Sequence, residues 1–239
     1  MRDMFSLDGP LNKYGGFLAD TMVLSFFWIL FSLPVITIGA STTAMFYVST
    51  RRLAEREGHI SGDFWAAFKA NFGKATKIWL ALATFVGLLI FNVFNVTIGG
   101  TMGSIVLMAQ YVFLLLIALV GVFIFPMTAR FDMSIKEILK SSFYMGLRHI
   151  LTSITCVIML FALLLISIDV FNPLLLLAPG IYAMGAGYMV MRVFKKYRPE
   201  MDKDPMLELQ EIEIQKAEDR RNRGISVLDE DPEEVEAEA

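Results

Sequence analysis

The stretch FLADTMVLSFFWILFSLPVITIGASTTAMFYVST, residues 17–50, decides how this chain folds. As one straight helix it would be about 50 Å long, whereas the hydrocarbon layer of a bilayer is about 30 Å thick. A helix of that length cannot cross a membrane once, so it must be interrupted. Pro34 removes a backbone donor and Gly39 permits a tight reversal, and together they predict two helices joined by a structural turn.

Four further windows are apolar over about 20 residues, which is the length that a spanning helix needs. They are residues 78–98, 104–125, 150–168 and 173–193. With residues 17–38 they make five spans, and residues 40–57 provide a sixth that is shorter and richer in Ser and Thr. The alternative is five spans, with residues 40–50 forming a re-entrant or surface helix. Either way the sequence predicts an all-α fold, a polytopic transmembrane helix bundle.

Composition supports a membrane protein with a separate tail. Apolar residues make up 56% of the 239 positions and charged residues only 19%, which leaves too little polar surface for a water-soluble globule. Residues 199–239 hold 15 Asp and Glu against 5 Lys and Arg, whereas residues 1–198 hold 9 acids against 16 bases. We therefore predict a transmembrane helical domain over 1–198 and a charged, partly disordered cytoplasmic tail over 199–239. This composition excludes a soluble enzyme, a disulfide scaffold and a nucleic-acid binder.

The distribution of basic residues predicts the orientation. Cytoplasmic loops of membrane proteins carry an excess of Lys and Arg, and here the bases cluster at 51–77, at 130–148 and after 191. The short connections at 99–103 and 169–173 contain neither residue. The basic loops and the C-terminus should therefore face the cytoplasm of a multi-pass plasma-membrane protein. The N-terminus would be cytoplasmic with six spans and outside with five.

Two basic loops have the pattern of amphipathic helices that run into a span. In the first, Phe64, Phe68 and Phe72 form one apolar stripe, with Lys69 beside it. The second begins at Ser134 and carries Phe143 on its apolar face and Lys140 around the other. We interpret both as interfacial helices, with their rings among acyl chains or docked on a partner.

Few polar side chains lie within the predicted spans. Asp20 is near the start of its helix, Asn92 and Gln110 lie in later spans, and Arg130 is at the cytoplasmic boundary. These residues either form hydrogen bonds between helices or line a polar pathway.

The sequence contains no recognisable catalytic, cofactor or metal motif. His59 and His149 have no third ligand at metal spacing, and the single Cys156 lies in an apolar run. We therefore expect a protein that is not an enzyme and has no cofactor. Membrane lipids are its expected partners, nucleic acid is not, and the oligomeric state is left open.

Several motifs resemble those of a known family. They are LPVITIG at 33–39 followed by TTAMFY at 42–47, MF and DGPL at 4–11, FWAAFKANF at 64–72, and FPMTARF at 125–131. Over about residues 4–195 the sequence resembles the YesL-like family, domain of unknown function 624, of Gram-positive bacteria. The resemblance implies an integral plasma-membrane protein commonly encoded beside ABC-type carbohydrate importers, and it carries over no catalytic residues.

Three functions are compatible with these features. The leading hypothesis is a non-catalytic accessory subunit that binds the permease of an ABC-type carbohydrate importer. The second is a stand-alone transporter or channel lined by Asp20, Asn92 and Gln110. The third is a regulatory membrane scaffold that acts through the basic loops and the acidic tail.

Overall fold

The computed structural model describes residues 10–53, 59–95, 100–169 and 174–197, together with Gln215 and Glu218. Within these residues the chain is all-α, as the sequence predicts, and contains no strand. It divides after Tyr197 into two units. In the second unit Gln215 and Glu218 are helical and exposed, and the rest of the predicted tail lies outside the described residues.

The described residues of the first unit form seven α-helices. In chain order they are α1 (Pro10–Ser32), α2 (Ile38–Leu53), α3 (Ile60–Asn95), α4 (Gly100–Arg130), α5 (Ile135–Arg148), α6 (Ile150–Asp169) and α7 (Leu174–Tyr197). One turn of 3-10 helix, Val35–Thr37, lies between α1 and α2. The break predicted within residues 17–50 is therefore present.

Three of the described helices, α3, α4 and α6, are long and apolar enough to cross a membrane. A shorter apolar segment, Leu18–Ser32, lies within α1. These helices indicate an integral membrane protein. With 36 residues, α3 is about 54 Å long at 1.5 Å per residue, so it exceeds the hydrocarbon thickness.

Helix α2 lies at the centre of the bundle, where it contacts α1, α3, α4 and α7. Nearly every residue from Gly39 to Thr50 is buried. Several of its hydroxyl groups donate to carbonyls of the same helix: Thr43 to that of Gly39 at 2.8 Å, and Thr50 to that of Phe46 at 2.7 Å. Because these groups need no water, a Ser- and Thr-rich helix can be buried on all sides.

Helices α1 and α7 approach closely although they are distant in sequence. The Ser25 hydroxyl donates to the carbonyl of Leu177 at 3.2 Å and accepts the N–H of Gly180 at 2.9 Å. A Cβ atom at Gly180 would lie 2.5 Å from the carbonyl oxygen of Thr21. Gly180 therefore allows the two helix backbones to approach.

Helix α5 begins immediately after Ser134, the residue at which the sequence predicts its start. The Ser134 hydroxyl accepts the N–H of Glu137, and the Glu137 carboxylate accepts the N–H of Ser134, which makes a capping box. The bonds from Ser134 hold the pKa of Glu137 below its ordinary value. Ile138 then packs with Ile78 of α3 and Ile124 of α4 in a buried cluster.

Candidate functional site

The turn between α1 and α2 is held by hydrogen bonds from two side chains. The Thr37 hydroxyl donates to the carbonyl oxygens of Phe31 at 2.6 Å and Pro34 at 2.7 Å. The indole N–H of Trp79, on α3, donates to the carbonyl of Val35 at 2.7 Å. The bond to Phe31 satisfies a carbonyl that the end of α1 leaves without a helical partner, and the bond from Trp79 ties the turn to α3.

Gly39 has a different role from the reversal that the sequence suggests. It lies inside α2, and among the described glycines only Gly100 has a positive φ. A Cβ atom at Gly39 would lie 2.4 Å from Cβ of Trp79 and 2.6 Å from the carbonyl oxygen of Ala75. The residue is therefore needed for the close contact between α2 and α3.

The first basic loop differs from its prediction as an interfacial helix with rings among acyl chains. From Ile60 onward this loop forms the N-terminal half of α3, where Phe64 and Phe68 are buried against Phe27 and Phe31 of α1. Since their ring centroids lie 5.1–5.6 Å from those of α1, these two rings pack in the protein interior and are not available to lipid or a partner.

The other residues predicted to dock lipid or a partner lie at the surface. On α3, Phe72 and Lys69 are exposed, and the Lys69 ammonium lies 5.5 Å from the ring centre of Trp65. On α5, Lys140 and Phe143 are exposed. Each apolar face is therefore split: Phe64 and Phe68 of α3 and Ile138 of α5 are buried, whereas Phe72 of α3 and Phe143 of α5 face outward.

The structure brings together only some of the polar residues singled out in the spans. The amide N–H of Gln110 donates to the side-chain oxygen of Asn92, which links α4 to α3. Arg130 is buried at the end of α4, 20 residues and therefore about 30 Å along the helix from Gln110. Asp20 lies on α1 and is partly exposed.

Two polar contacts lie near the basic ends of the helices. The Lys74 ammonium donates to the Asp132 carboxylate at 2.7 Å, and this bond holds the pKa of Asp132 below its ordinary value. The ring of His149 shares a hydrogen bond with the Tyr197 hydroxyl at 2.8 Å. Its partial burial, together with the charges of nearby bases, lowers the pKa of His149.

A cavity of about 710 Å³ lies among five helices, a feature that the sequence does not predict. Its lining includes Trp28 of α1, Phe46 of α2, Gly121 of α4, Leu164 of α6 and Tyr182 of α7. The lining is almost wholly apolar. No sequence pattern indicates a cavity formed by the relative placement of five helices.

Among the residues that the structure describes, no group of three or more His, Cys, Asp and Glu is placed to hold a metal ion. Cys156 is a buried free thiol on α6.

Residues 21–93 match a family model described as "Protein of unknown function, DUF624". The match covers about half of α1 and all of α2, and it ends two residues before the end of α3. It confirms the resemblance to domain of unknown function 624, over a shorter range than the expected 4–195. No curated protein sequence and no solved structure matches the chain.

Proposed function

We propose that this protein is a non-catalytic accessory subunit of a transport complex in the plasma membrane. The observation that carries the proposal is that no other helix of the protein buries the apolar C-terminal half of α3. In the most apolar 18-residue segment of α3 only 6% is buried inside the protein, whereas 44% of the corresponding segment of α4 is buried. The exposed side chains of α3 include Leu88 and Phe91. A helix that is apolar around its whole circumference requires lipid or another protein around it.

The resemblance to YesL-like proteins suggests which complex this is. Such proteins are expected beside ABC-type carbohydrate importers, so the proposed partner is the importer permease. The central cavity favours this role over stand-alone sugar transport, because sugar hydroxyls need hydrogen-bond partners and the lining is almost wholly apolar.

Co-purification from the native membrane tests the accessory role. Wild-type protein should retain importer permease subunits, identified by mass spectrometry, in mild detergent. Because exposed apolar side chains at helix interfaces act as anchors, the double variant Leu88→Ala, Phe91→Ala should retain about tenfold less permease.

A matched control separates a specific contact from a general loss of apolar surface. Leu165 and Ile168 of α6 have the same spacing, and their exposures of 60% and 68% resemble the 62% and 64% of Leu88 and Phe91. Leu165→Ala, Ile168→Ala should therefore co-purify like wild type. Recovery of the wild-type protein without importer subunits would contradict the accessory role.

We further propose a five-span topology in which α2 stays inside the bundle and the N-terminus is outside the cell. Two contacts define the ends of the α3–α4 hairpin: Gln110 with Asn92 near its connection, and Lys74 with Asp132 at its basic end. Trp79, which bonds the carbonyl of Val35, is only five residues from Lys74. The turn between α1 and α2 is therefore near the basic end, whereas a six-span arrangement requires it at the other.

Single-cysteine labelling tests this topology in a Cys156→Ala background. In intact cells a membrane-impermeant maleimide should modify Ser6→Cys, and it should modify Lys140→Cys only after permeabilisation, because basic loops are retained in the cytoplasm. Thr101→Cys, beside the connection between α3 and α4, is the control expected to react from outside. If Ser6→Cys also requires permeabilisation, the six-span arrangement is correct.

A further inference from the structure

We propose that the central cavity is a binding site for one acyl chain of a membrane phospholipid. Its volume of about 710 Å³ lies within the range of about 300–1,000 Å³ typical of ligand sites. Five of the seven described helices contribute to its lining, and all five belong to the same structural unit. The proposal requires membrane insertion but does not depend on an importer partner.

The chemistry of the lining favours hydrocarbon over water. The indole N–H of Trp28 already donates to the Thr42 hydroxyl at 3.0 Å, so this donor is not offered to a solute. Phe46 and Tyr182 contact each other edge to face with centroids 6.1 Å apart. A water molecule needs two to four polar partners to occupy a buried site, and apolar cavities without them remain dry or take up apolar ligands.

The exposed edge of the cavity indicates where the occupant comes from. Leu176 of α7 and Phe161 of α6 line the cavity and are 63% and 59% exposed. Both side chains therefore face the cavity on one side and the surroundings of the bundle on the other. For a helix bundle in a bilayer those surroundings are phospholipid acyl chains.

The position of this edge also places the lipid headgroup. Leu175 and Leu176 are in the first turn of α7, so the cavity reaches the end of the bundle at which α6 and α7 are connected. A phospholipid whose headgroup stays at that face can insert one chain between α6 and α7. Deeper in the cavity, a Cβ at Gly121 would have no atom within 4 Å, which leaves open space for the chain.

Photo-crosslinking tests the site. The purified full-length protein is reconstituted in vesicles of phosphatidylcholine and phosphatidylglycerol that contain a trace of phospholipid with a diazirine near the end of one acyl chain. We expect cross-links concentrated on peptides containing Gly121 and Tyr182. Gly121→Phe should lower their yield by about tenfold, because the ring takes the space of several methylenes whose transfer drives binding.

Gly87→Phe is the matched control. Gly87 is exposed on α3, and a Cβ atom there, as at Gly121, would have no atom within 4 Å. The same ring added at Gly87 should therefore leave the cavity cross-links unchanged. Ala118→Leu, which also narrows the cavity, should reduce the yield if Gly121→Phe fails to fold.

Two outcomes would overturn the proposal. The first is equal cross-linking of all exposed helices that neither Gly121→Phe nor Ala118→Leu reduces. This result would mean that the probe reports the lipid surrounding any membrane protein and not a chain bound in the cavity. Displacement of the cross-links by oleate, but not by excess unlabelled phospholipid, would assign the cavity to a free fatty acid. Either result leaves the co-purification with importer subunits unaffected, so the two proposals fail independently.

Discussion

Replacing Gly39 with alanine is expected to destabilise the protein by about 3 kcal/mol or more, at the upper end of the cost of overpacking. The added Cβ would lie 2.4 Å from Cβ of Trp79 and 2.6 Å from the backbone oxygen of Ala75. Neither atom is the end of a flexible side chain, so the clash is relieved only if the two helices separate. Alanine is favoured over glycine in a helix by about 1 kcal/mol, which is too little to reverse the sign.

Thermal unfolding in detergent, followed by tryptophan fluorescence, measures this effect. Gly87→Ala is the control, because Gly87 is also helical but a Cβ there meets nothing within 4 Å; its melting temperature should equal or slightly exceed that of wild type. A Gly39→Ala protein as stable as Gly87→Ala would show that α2 and α3 do not pack as closely as described.

The second large effect on stability is expected near the N-terminus of α3. Phe64→Ala should destabilise the protein by about 3–5 kcal/mol, the usual cost of removing a buried phenylalanine ring. Phe64 is fully buried and its ring contacts those of Phe27, Phe31 and Phe68. If the ring lay among acyl chains instead, its removal would leave no cavity in the protein and would cost much less.

Phe143→Ala is the comparison for this test. Phe143 occupies the apolar face of α5, the second predicted interfacial helix, and is exposed. Its truncation should lower the free energy of unfolding by less than about 1 kcal/mol, since surface substitutions rarely cost more. Equal effects of the two variants, measured by the same unfolding assay, would refute the inward packing of α3.

The sequence predicts the local structure well because local structure depends on nearby residues. Pro34 disfavours continuation of the helix before it, and α1 ends at Ser32. Ser134 with Glu137 three residues later is a capping box. Hydrophobic length likewise identifies α3, α4 and α6 as helices able to cross a membrane. The other predicted spans, at 17–38, 40–57 and 173–193, correspond to α1, α2 and α7, which are not among the described helices that meet the length and hydropathy of a span.

What covers a helix face cannot be read from its periodicity. Phe64 and Phe143 occupy similar positions in two amphipathic patterns, yet Phe64 packs on α1 and Phe143 faces outward. The difference comes from the contacts that α1 and α2 make with α3. Those contacts depend on residues far from either pattern, such as Gly39.

The contact between α1 and α7 is not predictable from the sequence either. Small residues four positions apart allow close helix contact, and the sequence has two such pairs, Ala83 with Gly87 and Ala183 with Gly187. The second pair is buried but Gly87 is exposed, and no pattern links Gly180 to Ser25. Likewise, the amides Asn92 and Gln110 can be identified in the sequence as polar groups in spans, but not as partners. The cavity depends on all five of its helices at once.

The contact of Ser25 with Gly180 has a consequence for the order of biosynthesis. Ribosomes add about 5–20 residues per second, so the 155 positions that separate these residues correspond to a delay on the order of 10–30 s. During this interval the amino-terminal helices are made but lack α7, against which they pack. A nascent chain released before α7 emerges would leave the hydroxyl-rich α2 partly uncovered and should be a preferred substrate for membrane quality-control proteases.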